Sequence, residues 1–183
     1  MLALIIILVF VVLVGLYAVF SYNGLVSLRN RIENAWAQID VQLTRRYDLI
    51  PNLVETVKGY ASHERETLDA VIEARNAGMN ATGPHDQAEA ENQITGALKS
   101  LFALSEAYPD LKANQNFAAL QRELATTEDK IAYARQFYNS AVQTLTNTIQ
   151  SVPTNLVAGM FGFRSPEYFE AAGDERGPVQ VRF

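Results

Sequence analysis

At 183 residues the chain has room for one domain and an appendage. Its formal charge of −5, with acids and bases interspersed, lacks the clustered Lys and Arg that phosphate contacts require, so a nucleic-acid partner is excluded. Cysteine is absent, which rules out disulfides and any lipid-modified cysteine anchor.

Residues 2–20, LALIIILVFVVLVGLYAVF, carry no charge. At ~1.5 Å per residue they reach ~30 Å, the thickness of a bilayer's hydrocarbon core, and they read as an uncleaved transmembrane helix. A signal peptide is the rival reading, but no basic residue precedes the run, and its exit, AVFSYNG, offers bulky residues where a cleavage site needs small ones. Arg29 and Arg31 follow the run closely, with Arg45 and Arg46 further on. That asymmetry predicts the N-terminus outside and the remaining chain in the cytoplasm.

From Leu25 the apolar positions Leu28, Ile32, Trp36, Ile39, Leu43, Tyr47 and Ile50 recur at steps of three and four, one buried face of a helix. Asn23-Gly24 before it is either a short hinge or a weak spot in a continuous helix. Pro51 is the ambiguous point. The apolar phase runs through it to Val54 and Val57, as one bent helix requires, yet proline is at home in a first turn and costs ~3 kcal/mol inside a helix. We expect a break there, with a second helix carrying Leu53, Val57, Leu68, Val71 and Ile72. GMNATGP, residues 78–84, reads as a loop. A third helix is expected from about Asp86 to Ala107, with Asp86, Glu89 and Glu91 favoured by the dipole at its start. A fourth should run from Asn116 or Phe117 to Ser151 and close at Pro153. PVQVRF at the end alternates weakly, as a short strand or an extended arm.

The expected fold is all-α: a single N-terminal transmembrane helix followed by an antiparallel, up-and-down four-helix bundle. Residues 1–22 form the anchor, 23–152 the bundle, and 153–183 an aromatic-rich segment and tail. In that topology helix four returns towards the bilayer, and Phe161, Phe163, Tyr168 and Phe169 either cap the base of the bundle or lie in the membrane interface. Arg45, Arg46 and Asp48 would cluster, exposed, at the turn by Pro51, as a contact site for a partner.

Catalytic signals are absent. His63-Glu64-Arg65-Glu66-Thr67 has threonine where a zincin needs its second histidine. Neither His63 nor His85 has a glutamate three residues earlier, as a di-iron carboxylate bundle requires. There is no phosphate loop and no nucleophile elbow, so we expect no enzyme, metal, cofactor or small-molecule substrate. Arg29 and Glu33 read as a solvated i,i+4 pair. Asn30, Asn34, Gln38 and Gln42, spaced by four, are either a water-facing stripe or a hydrogen-bonding seam between protomers.

Three blocks carry a likeness: YNGLVSLRNRIENAWAQIDVQLTRRYDLIPNLVETVKGYASHERETL, ALSEAYPDLKANQNFAALQRELATTEDKIAYARQFYNSAV and SVPTNLVAGMFGF. After an N-terminal anchor, they closely resemble the LemA family of bacterial membrane proteins, from Tyr22 to about Phe169. The resemblance implies a single-pass protein of the bacterial inner membrane with an antiparallel helical domain in the cytoplasm. A magnetosome-membrane protein is counted in the same family, which hints at membrane organisation. No catalytic residue comes with the likeness. Trp36, Arg45, Arg46, Tyr47, Asp48 and Pro51 match it as fold determinants or as contacts. The reading is a scaffold that assembles with itself or recruits another membrane protein. The alternative is a regulatory or sensor subunit of a membrane protease or stress-response system, and an enzyme with an unrecognised site is third.

Overall fold

A computed structural model gives the architecture and describes residues 1–170. Helix α1 spans Leu2–Lys58, α2 Arg65–Asn80, α3 Gly83–Ser105, α4 Pro109–Lys112, α5 Gln115–Gln150 and α6 Thr154–Met160. No strand occurs among the described residues. The expected strand or arm at 178–183 lies outside them.

The break expected at Pro51 does not occur. Helix α1 passes through Asn23-Gly24 and Pro51 without interruption. Proline lacks the N–H that would bond the carbonyl four residues earlier, so an interior Pro51 orphans the Tyr47 carbonyl. Arg75 of α2 supplies the missing donor: its Nε lies 2.7 Å from that oxygen. The helix instead ends past Lys58, where Tyr60 N–H turns back to the Val57 carbonyl at 3.0 Å and tightens the last turn.

The loop expected at 78–84 shrinks to Ala81 and Thr82, because α2 continues to Asn80 and α3 opens with Pro84 in its first turn. Helix α5 falls close to its expected bounds. One of its first free N–H groups is met by Asn114, whose Oδ1 accepts from Phe117 N–H at 3.0 Å.

The chain divides into two compact units, each drawing on α1 and α5. Unit one comprises Met1–Asp40 and Ala132–Glu167. Leu25, Ile32, Ala35 and Ile39 of α1 are buried there, as are Tyr138, Ala141, Val142 and Leu145 of α5 and Val157 and Ala158 of α6. Trp36 meets the Tyr138 ring edge-on at 5.5 Å. Unit two comprises Val41–Ile131 and, of the described residues beyond, Tyr168, Phe169 and Glu170. It holds five helical segments, the end of α1, all of α2, α3 and α4, and the start of α5, and α2 and α3 pack on one another. Ile50, Leu53, Val57, Val71, Ile94, Leu98, Leu101 and Leu124 form its interior. Each such side chain contributes about 1.5–3 kcal/mol by leaving water.

Candidate functional site

Unit two carries a buried polar cluster at the meeting of α1, α2 and α3. Arg46, placed among exposed contact residues by sequence reasoning, is only 3% exposed. Its Nη1 donates to Glu91 Oε2 at 2.7 Å and its Nη2 to Thr95 Oγ1 at 2.9 Å. Glu128 Oε2, from α5, also lies 2.8 Å from Nη2 but off its N–H directions, so that attraction is Coulombic rather than a directed hydrogen bond. Glu91 is therefore a buried partner of Arg46 and not a solvent-facing acid of the α3 dipole. Asp86 is the acid in the first turn.

Tyr47 completes the cluster. Its hydroxyl donates to Glu91 Oε1 at 2.5 Å and accepts from Gln87 Nε2 at 2.7 Å. The chain from Gln87 amide to Tyr47 hydroxyl to Glu91 carboxylate runs in one donor direction, which polarises each member. Burial first, then the hydrogen bond to Glu91 and its charge, hold the Tyr47 phenol well above the usual phenol range. It thus remains a proton donor. Gly78 of α2 lets this arrangement close: a Cβ there would stand 2.8 Å from the Tyr47 hydroxyl and 2.9 Å from Ile94 Cδ1.

Beside the cluster an open cleft of about 630 Å³ is lined by Pro51, Val54, Lys58, Arg65, Leu68 and Asp69, among others. Apolar Val54, Leu68 and Ile72 share its lining with Lys58, Arg65, Glu55 and Asp69, side chains of both charge signs. No group of three metal-ligating side chains assembles among the described residues.

The remaining residues singled out from sequence are distributed over both units. Arg45 and Asp48 are exposed, and Arg45 stands 3.7 Å from Glu123 in a solvated pair. Asn30, Asn34 and Gln38 are exposed on α1, while Gln42 is half-buried and its Oε1 has no hydrogen-bond partner among the described residues. Arg29 and Glu33 form the expected exposed pair at 3.7 Å. Phe161 and Tyr168 are exposed, Phe163 is half-buried, and Phe169 is 1% exposed. Phe169, expected with the other aromatics either to cap the bundle's base or to lie in the membrane interface, is thus a core residue of unit two.

In unit one the end of the apolar run is in contact with α6 and its exit. Tyr17 and Thr154 share a hydrogen bond of 2.9 Å between their hydroxyls. The Tyr22 ring lies 4.7 Å from Phe161 and 5.8 Å from Phe163. Arg29 sits 6.0 Å from the Phe163 ring centre and Arg31 5.1 Å from that of Phe137, cation over aromatic face.

Sequence reasoning missed Arg46, Gln87 and Glu91 as interior residues, and a signal was there. Arg46 falls in the stripe Ile39, Leu43, Arg46, Ile50, Leu53, Val57, and Glu91 in Gln87, Glu91, Ile94, Leu98, Leu101, both at alternating steps of four and three. Opposite charges in phase with two apolar stripes mark a buried pair.

Comparison with known proteins supplies the kinship. The model of the LemA family matches residues 35–183. Protein LemA of Metamycoplasma hominis is 29% identical, over 96% of this chain and 82% of its own length. Magnetosome protein MamQ 2 of Paramagnetospirillum magneticum is 26% identical, and Magnetosome protein MamQ of Magnetospirillum gryphiswaldense 24%. Each of these alignments takes in 84% of this chain and 66% of the magnetosome protein. None of these names denotes an enzyme. With an apolar N-terminal run in α1 that buries no residue of its window and is long enough to cross a bilayer, this is a membrane-associated helical protein. The chain belongs to the LemA family.

Proposed function

We propose that the chain is a non-catalytic, membrane-anchored scaffold that assembles with itself or recruits another membrane protein. The observation that carries this reading is the row of uncharged amides on α1. Asn30, Asn34 and Gln38 are all exposed, and Val41, an apolar side chain on the same helix, is 63% exposed. Polar residues repeated along an unpartnered helix face set register when a second helix covers them. In this reading the end of α1, α2, α3 and the start of α5 run up and down in unit two, and Arg45 and Asp48 remain contact residues for a partner, without Arg46.

The orientation we propose keeps the N-terminus outside the inner membrane and the helical units in the cytoplasm. Arg164 adjoins Phe163, against which Arg29 stacks, so a third basic residue joins Arg29 and Arg31 on the trailing side of the anchor. Alkaline phosphatase fused at Phe183 should be inactive; activity there would reverse the topology.

The chain's lack of cysteine makes the scaffold test clean. Asn34→Cys in membranes should crosslink to a dimer under mild oxidation, well beyond an exposed control, Glu73→Cys. Equal crosslinking at the two positions would remove the seam. The cleft beside Pro51 favours a second reading, a regulatory subunit that holds a partner's segment. Protection of Arg65→Cys from thiol reagent in native membranes, and not in purified protein, would support it.

A further inference from the structure

The longest charge-free stretch outside the anchor is residues 136–163: no Asp, Glu, Lys or Arg interrupts the chain between Arg135 and Arg164. It covers the last turns of α5, all of α6 and the Phe161-Gly162-Phe163 exit. Within it, Leu156 is 67% and Met160 81% exposed, with Val152 and Phe161 also open. Leu156 and Met160 of α6 are spaced by four, hence on one face, with exposed Val152 in the turn before them, while Val157 and Ala158 of the other face are buried.

The neighbours of this face decide what covers it. Thr154, the first residue of α6, hydrogen-bonds Tyr17, which is inside the apolar run of α1. Phe161 and Phe163 bracket Tyr22, just beyond that run. The first charge after the run, Arg29, is seven residues past Tyr22, about 10 Å along the helix, comparable with the headgroup layer of one leaflet. Arg29 lies over Phe163, next to Arg164 in sequence. Apolar groups at the depth of the anchor's end, aromatics beside them and arginines one layer out reproduce the order of an acyl boundary, an interface and a phosphate plane.

We propose that α6 and its flanks form a second membrane contact, lying in the interface of the leaflet through which the anchor passes. Val152, Leu156, Met160 and Phe161 face the acyl boundary, and Arg29 and Arg164 face lipid phosphates. The contact depends on α1 occupying a bilayer but not on the scaffold reading. It reassigns the set expected from sequence: exposed Phe161 stays, half-buried Phe163 sits beneath Arg29, and Tyr168 and buried Phe169, which belong to unit two, leave.

The test uses the full chain in phosphatidylcholine–phosphatidylglycerol vesicles, with single cysteines carrying an environment-sensitive fluorophore. A label at Leu156→Cys or Met160→Cys should emit to the blue of one at Glu73→Cys. Lipids with a quencher near the headgroup should quench it several-fold more than lipids quenched deep in the chain. Phe10→Cys must be quenched by the deep label; if it is not, the anchor itself is not inserted and the contact falls with it. If Phe10→Cys passes but the α6 labels respond only to aqueous iodide, α6 is in water and the proposal is wrong. Labels shielded from both iodide and lipid quenchers would show that a second copy covers the face, which also overturns it. A helical circular dichroism spectrum matching the unlabelled protein confirms that each variant is folded.

Discussion

Pro51 and Arg75 form a pair whose energetics can be measured. Pro51 leaves the Tyr47 carbonyl without its helical donor, and the Arg75 guanidinium takes that place at 2.7 Å. Arg75→Leu removes the charged hydrogen bond and leaves a partly buried carbonyl bare, which should cost about 1.5–3 kcal/mol. Pro51→Ala restores the backbone N–H and relieves a residue that costs ~3 kcal/mol in a helix interior, so it should stabilise. In the Pro51→Ala background the carbonyl is already satisfied, and Arg75→Leu should cost under about 1 kcal/mol. The four proteins would be compared by urea unfolding of the detergent-solubilised chain, followed by circular dichroism, with unchanged slope as the condition for comparison. Coupling of about 1–2 kcal/mol between the two positions is the expected result. If Arg75→Leu costs the same with Ala as with Pro at 51, the carbonyl does not explain why α1 survives its proline, and the argument fails.

Three further outcomes follow from unit two. Glu91→Leu strands the buried Arg46 charge and should destabilise by about 3–5 kcal/mol, whereas Arg46→Met with Glu91→Leu should recover most of that loss in the same unfolding assay. Gly78→Ala would set a Cβ against a Tyr47 hydroxyl already fixed by two hydrogen bonds and should cost about 1–3 kcal/mol, while Gly96→Ala, with open space around it in α3, should gain about 0.5–1 kcal/mol. The raised Tyr47 pKa gives stability that is complete below the unfolded value near 10 and declines above it, by about 1.4 kcal/mol per pH unit while only the folded state keeps the proton. Tyr47→Phe should flatten that alkaline slope, and an unchanged slope would place its cause elsewhere.

The long amphipathic helices were legible because their apolar positions repeat over many turns, as from Phe117 to Ile149 in α5. The apolar N-terminal helix was legible from the length and the lack of charge of residues 2–20. Pro51 misled because its local effect, a lost N–H, is cancelled by a side chain 24 positions away. No window around residue 51 contains Arg75. The interior cluster was hidden for a different reason: Arg46, Gln87 and Glu91 are surface types by chemistry, and only their phase within the apolar stripes places them inside. The place of Leu156 and Met160 beside the apolar run rests on the bond from Tyr17 to Thr154, 137 positions apart, which no local pattern carries.

The Arg46–Glu91 pair also bears on how α1 and α3 find one alignment. Two stripes of aliphatic side chains at steps of three and four match almost as well after a slide of one heptad, about 10 Å along the axis. With Arg46 among them they do not. Seven residues from Glu91 in α3 stands Leu98, so the slid arrangement would press a guanidinium onto an aliphatic side chain and take from Glu91 both its guanidinium and its Tyr47 donor. The cluster thereby acts as a key cut into otherwise interchangeable surfaces. It adds less to the strength of packing than to its uniqueness, and a variant carrying hydrocarbon at both positions should fold firmly while sampling more than one alignment of the two helices.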